Sequence, residues 1–336
     1  MQKKQHGIIN VERPKTNKYR LQFIDITKGI GIILVICSHV YGPLMIWAKH
    51  FYIPVFFIIS GYCTTRQINL HRKFNKLIIP YAIFTIILFA IYGSYKPFDF
   101  FGAAYSRWCL YPLGNENNLF FLKSGNGPLW FLTSMFTSFV LFVFLQKYKK
   151  KQITLLAIYM ITTYILSYLP ILLPWSLDTS FLMAIFIFCG TKIRDLSLLE
   201  RVHYKWYIGM IILYIILWYY GGNINLSVRQ YGRSLLVLFP AAIIGSFLLM
   251  KASKYIEPTF IGKMFTQIGI HSLSIFCLHI PFISLWAIIK YTFHSDFMSP
   301  MMNGIMCVVF IVVCTYLIAL FLDKYIISII TNDGSK

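Results

Sequence analysis

Apolar runs recur along the whole 336-residue chain, most of them near or above 17 residues long, and they constrain it more than any motif does. A run of that length is what a helix needs to cross a hydrocarbon core about 30 Å thick. In chain order they fall at 24–46, 51–65, 77–95, 128–146, 153–170, 177–193, 206–221, 234–250, 267–289 and 302–322. Lipid offers backbone amides no partner, so such segments must satisfy their own hydrogen bonds as helices. Composition agrees: 58% of residues are apolar and 12% charged, against about a quarter charged in soluble domains. The expected fold is all-α, a polytopic transmembrane bundle of about ten spans. One membrane domain over 23–323 would lie between a basic tail, 1–22, and a short tail, 324–336. The second run, FYIPVFFIISGYCTT, is short and holds Pro54 and Gly61, so a kinked segment partly inside the bundle is expected there.

A formal charge of +20 invites a nucleic-acid reading. Its placement argues otherwise, because the Lys and Arg residues cluster in alternate connections between apolar runs, as membrane topology demands. One side collects Lys3, Lys4, Arg13, Lys15, Lys18, Arg20, Arg66, Arg72, Lys73, Lys76, Lys147, Lys149–Lys151, Lys192, Arg194, Arg201, Lys205, Lys251, Lys254, Lys263, Lys324 and Lys336. The other has Lys49, Lys96, Arg107, Lys123, Arg229, Arg233 and Lys290. Both termini are therefore expected in the cytoplasm, with no nucleic-acid partner. The polar head runs to about Arg20 and no A-x-A-like site follows, so the first run reads as a retained span rather than a cleaved signal. The seven cysteines show no metal or redox spacing; Cys37, Cys63, Cys189, Cys277, Cys307 and Cys314 read as small core residues and Cys109 as a lone loop thiol. Two outer connections, 96–127 and 221–233, are long enough to contact a substrate, the first as an interfacial or re-entrant segment.

The first run, FIDITKGIGIILVICSHV, carries three ionisable groups. A helix turns about 100° and rises about 1.5 Å per residue, which puts Lys28 and His39 within about 20° of one face and about 16 Å apart. Asp25 falls on the same side. Ionisable groups at membrane depth cost on the order of 2.5–3.5 kcal/mol and normally face protein or a water-filled cavity. Near the span's end, Lys28 can snorkel and pair with Asp25 at i, i+3. His39 lies deeper, where an imidazole is the usual general base.

Other residues carry two readings each. Ser60, Gly61 and Tyr62 suit close helix packing or a channel wall. Arg72 and Lys73 suit an ordinary basic loop or an anion patch. Trp130 fits an aromatic belt or a channel, Asp178 a solvated outer carboxylate or an acceptor contact, and His279 a packed imidazole or a functional one. His271 and His279 are eight residues apart, not the i, i+4 spacing of a helical metal pair, so no metal is expected. A transporter or flippase would also use a polar stripe, but no matched pair of Gly/Pro-broken spans marks two inverted halves.

In order, the segments IDITKGIGIILVICSHV, YIPVFFIISGY, KLIIPY, GPLWFL, PWSLDTSF and IGIHSLSIFCLH resemble the acyltransferase 3 family of integral membrane acyltransferases. The pattern is most similar to its fucose 4-O-acetylase-like branch, and covers about residues 20–322. The resemblance implies a ten-helix bundle in the bacterial cytoplasmic membrane. It would move an acyl group, usually acetyl from cytoplasmic acetyl-CoA, to a hydroxyl of a cell-surface carbohydrate. The family hallmark, an Arg ten intervening residues before an essential His, is met by Lys28 and His39, with a Lys that keeps the charge but lacks the bidentate fork. The implied roles are His39 as catalytic base or nucleophile and Lys28, Arg72 and Lys73 at the donor phosphates. Asp25 would orient Lys28, while Ser60, Tyr62, Trp130, Asp178 and His279 would line the channel or acceptor site.

Overall fold

A computed structural model describes residues 21–64, 67–93, 96–114, 118–121, 127–292 and 299–331. The expected basic tail up to Arg20, and Arg66, Lys123 and residues 332–336, lie outside these residues. The chain is a helical bundle: α1 (Gln22–Val40), α2 (Pro54–Tyr62), α3 (Leu70–Tyr92), α4 (Pro97–Tyr105), α5 (Trp130–Lys147), α6 (Gln152–Leu166), α7 (Leu177–Asp195), α8 (Leu198–Arg201), α9 (Lys205–Gly221), α10 (Leu235–Ile256), α11 (Phe260–Ile270), α12 (Ser272–Thr292) and α13 (Pro300–Thr331). Between α9 and α10, β1 (Ile224–Asn225) and β2 (Gln230–Tyr231) form a small antiparallel hairpin.

The bundle puts its apolar residues outward as well as inward. Ile86, Ile153, Ile208, Ile216, Leu236 and Val309 are exposed, while Thr133, Ser138, Thr163, Ser253 and Thr315 are buried. Each of these five hydroxyls donates to a carbonyl three or four residues back on its own helix, so burial leaves none of the five unpaired. An apolar exterior of this extent fits lipid rather than water. Seven described helices are long and apolar enough to cross a membrane: α1, α3, α5, α7, α10, α12 and α13. The protein is a multi-pass membrane protein.

Three of the ten expected runs fall short of that length. α6 has 15 residues and α9 has 17. α2 has nine, about 14 Å of helix, and cannot cross by itself. It instead lies inside the bundle against α7, where a Cβ on Gly61 would come 1.9 Å from the Ile187 carbonyl oxygen and one on Gly190 equally close to that of Ile58. The first run also stops early, at Val40, because Tyr41 is extended and Gly42–Pro43 opens a 3-10 segment to Ala48; a residue preceding proline avoids helical angles. The ninth run breaks at His271, between α11 and α12.

α1 is the central element and packs against α2, α10, α11, α12 and α13. Its closest approach is to α11. A Cβ on Gly269 would lie 1.7 Å from the Asp25 carbonyl oxygen, and one on Gly29 would lie 2.2 Å from that of Phe265. Helix starts are capped where the sequence allows: Asn69, Ser234 and Thr259 accept from the amides of Arg72, Leu236 and Gly262, satisfying otherwise unpaired first-turn donors.

Candidate active site

Two cavities lie on either side of the middle of α1. The one toward the basic end, about 560 Å³, is lined by Lys28, Ser60, Lys73 and Lys76 and by an apolar wall that includes Phe56, Phe131 and Phe139. A shallower hollow of about 450 Å³ continues it past Cys63, Asn69 and Arg72. Lys73 Nζ stands 3.6 Å from the Phe139 ring centre, a cation–π contact that fixes the charge at the apolar mouth. Among the described residues, no carboxylate lines either space. Four cations around an apolar tunnel suit an anionic head with a neutral tail.

The cavity at the opposite end, about 540 Å³, holds Ser38, His39, Lys49, Tyr52, Trp108, Trp130, Asn225 and Ser227. Val35, Ile53 and Phe276 line both this cavity and the basic one, so these three side chains form the partition between them. His39, in the last turn of α1, is exposed to its cavity rather than packed. Its ring lies 5.1 Å from that of His279, centre to centre, tilted by 44°. His279 is fully buried. Its Nδ1 is 2.5 Å from the Phe276 carbonyl oxygen, while its Nε2 has no partner among the described residues. A ring whose Nδ1–H bonds a carbonyl has its Nε2 as an acceptor.

The polar stripe of α1 is therefore divided. Lys28 and His39 face different cavities, and Asp25 lines neither. Asp25 is 2% exposed and holds Lys28 Nζ at 3.2 Å, the i, i+3 pair expected at the end of a span. Ser60 and Trp130 line the cavities, Trp130 as a buried wall residue rather than part of an aromatic belt. Tyr62 lines none of these cavities: its ring meets Phe23 edge-on at 5.7 Å.

Asp178 departs furthest from its expected setting. It is fully buried, not solvated. Its carboxylate pairs with Arg107 and, at 3.1 Å, with Arg229, and accepts from the amides of Leu173 and Thr179. Arg107 also donates to the carbonyls of Leu173 and Ser227, and Arg229 to those of Ile171 and Leu169. Two buried cations on one carboxylate are tolerable only with such additional bonds. The cluster ties the α4–α5 connection and the β1–β2 hairpin to the start of α7, and these connections supply Trp108, Asn225 and Ser227 to the His39 cavity. At the hairpin's base only glycine fits: Gly232 has φ +74°, and its Cβ would lie 2.0 Å from the Gly221 carbonyl oxygen.

Lys49, Lys76, Tyr52, Trp108, Asn225 and Ser227 were not singled out by sequence reasoning. Lys76 lies in the same basic segment as Arg72 and Lys73, four residues on from Arg72 and so one helical turn away; that spacing was the available signal. Trp108, Asn225 and Ser227 fall in the two outer connections already marked as long enough to contact a substrate, whereas nothing local marks Lys49 and Tyr52. All seven cysteines are free. Cys63 is exposed in the basic hollow rather than in a core, and burial raises the Cys109 thiol to about 11.

Over residues 21–320 the sequence matches the model of the acyltransferase 3 family described as "Acyltransferase domain". No curated protein and no solved structure matches the chain.

Proposed function

Because the chain belongs to the acyltransferase 3 family of membrane acyltransferases, we propose that it moves an acetyl group from acetyl-CoA to a hydroxyl of a cell-surface carbohydrate in the bacterial cytoplasmic membrane. The observation that carries this reading is the pair of cavities divided by Val35, Ile53 and Phe276, cationic on one side and bearing an open imidazole on the other. The basic end faces the cytoplasm, where the donor is made. Arg72, Lys73, Lys76 and Lys28 hold the donor's phosphates, and the neutral pantetheine arm runs along the apolar wall to the partition.

At the partition the acetyl thioester meets the His39 cavity. In the direct route, His39 takes the proton from the acceptor hydroxyl as the oxygen attacks the acetyl carbon; the C–S bond breaks and the CoA thiolate leaves, to be protonated to the thiol. In the covalent route an imidazole nitrogen of His39 attacks first, the C–S bond breaks and CoA thiolate leaves; the hydroxyl then attacks the acetyl-imidazole, breaking its C–N bond and passing its proton to the freed ring. Both need a neutral ring with a free nitrogen, and His279 helps to position that ring. Trp108 and Trp130 offer flat faces to a sugar ring.

Supplying cells with labelled acetate and comparing surface glycans with and without the protein tests this function. Protein-dependent ester-linked acetyl on a glycan is the expected result. Unchanged acetyl content in every glycan fraction would reject it.

A further inference from the structure

The acceptor cavity has an uneven charge pattern that a neutral sugar does not require. Among the described residues, Lys49 is the one lysine or arginine lining it, and no Asp or Glu does. Cations at this end have two fates. Arg107 and Arg229 are consumed by Asp178 and by backbone carbonyls. Lys49 and Arg233, by contrast, have no carboxylate partner among the described residues. The Lys49 ammonium stands 5.6 Å from the Trp218 ring centre, half-buried. Its pKa is lowered by burial and then by the charge of Arg233. A half-buried ammonium lining a cavity with no described carboxylate is a charge that a bound anion would offset.

Resting on the acyltransferase reading above, we propose that the acceptor is an anionic glycan. Its carboxylate or phosphate is held by Lys49, while a hydroxyl of the same or the adjoining sugar reaches His39. Asn225 and Tyr52 serve hydroxyl groups, and Trp108 and Trp130 stack on the ring. The anion and the reactive hydroxyl share one cavity, so the charge belongs to the sugar being modified or to its neighbour. It also gives the two cavities separate tasks: the cations around Lys73 bind the donor, and Lys49 selects the acceptor.

The test is equilibrium binding to the purified full chain in detergent, without acetyl-CoA. The probes are trigalacturonate, its methyl ester, maltotriose and phosphorylated maltotriose. At least one charged probe should bind about tenfold more tightly than its neutral counterpart, and which pair shows the gap tells carboxylate from phosphate. The advantage should shrink at least threefold in K49Q and persist in K49R, whereas N225A should weaken charged and neutral probes alike. Equal affinity within each pair, no binding of any probe at millimolar concentration, or an advantage that survives K49Q would overturn the proposal. The acyltransferase reading fails separately, by absence of protein-dependent CoA release from acetyl-CoA.

Discussion

His39 and Lys28 share a helix face but not a cavity, and that division sets what each substitution does. Lys28 borders the basic cavity, proposed above for the donor, with its ammonium 3.2 Å from Asp25. Lys28→Ala should raise KM for acetyl-CoA about tenfold, the loss of roughly 1.4 kcal/mol of binding, while Lys28→Arg stays within about threefold. Equal kinetics for the two variants would remove Lys28 from donor binding. His50, in the connection between α1 and α2, gives a pH prediction. It is fully buried with neither ring nitrogen partnered among the described residues, and burial, then Lys49, lowers its pKa from 6.5 to about 4. The unfolded chain therefore takes up the proton first as pH falls. The stability held above pH 6.5 should drain away toward pH 4, by on the order of 3 kcal/mol. A His50→Leu variant should melt with a flatter pH profile between these limits; parallel profiles would contradict the assignment. The sequence made the stripe on α1 legible because helical geometry is local. It could not show that Val35, Ile53 and Phe276 divide it, since Ile53 comes in only after the chain turns back beyond α1 and Phe276 belongs to the distant α12.

Among the elements, the long helices were readable from their apolar runs, and the short ones were not. α2 was counted among the runs, but its length, Pro54 and Gly61 already marked it as a segment partly inside the bundle; what the sequence could not show is its partner, α7, which the reciprocal closeness of Gly61 and Gly190 reveals. The hairpin between α9 and α10 lacked any strand-length pattern, with two residues per strand. Its position depends on Asp178, which is 71 residues from Arg107 and 51 from Arg229. That distance made a buried hub look like a solvated carboxylate. Asp178→Asn leaves two guanidinium groups without their counter-charge, and removing one partner of a buried pair costs about 3–5 kcal/mol. Lower yield and a depressed melting temperature are expected, along with weaker acceptor binding, because Trp108, Asn225 and Ser227 lose their anchor. A variant with wild-type stability would show that the cluster does not hold these connections.

For the whole molecule, the charge bias of the connections and the position of the donor cavity point the same way. Lys28, Arg72, Lys73 and Lys76 share one end of the bundle with the basic connections, and His39 and Lys49 open toward the other. If that basic end faces the cytoplasm, a protease-cleavable tag after Lys336 should be protected in spheroplasts and cut in inside-out vesicles; the reverse pattern would invert the donor and acceptor sides. The bundle class followed from composition and run length, because lipid leaves few alternatives to helices. The split into two cavities did not, because it arises from contacts among helices far apart in sequence.

The central claim is that His39, at the partition, performs the transfer. The direct measurement is release of CoA from labelled acetyl-CoA, with recovery of the label in glycan, in membranes holding equal amounts of parent protein and His39→Ala. The account predicts a loss of at least about a hundredfold, the range of general acid–base catalysis, with acetyl-CoA binding retained because Lys28, Arg72, Lys73 and Lys76 are untouched. Transfer at the parent rate by His39→Ala would contradict it.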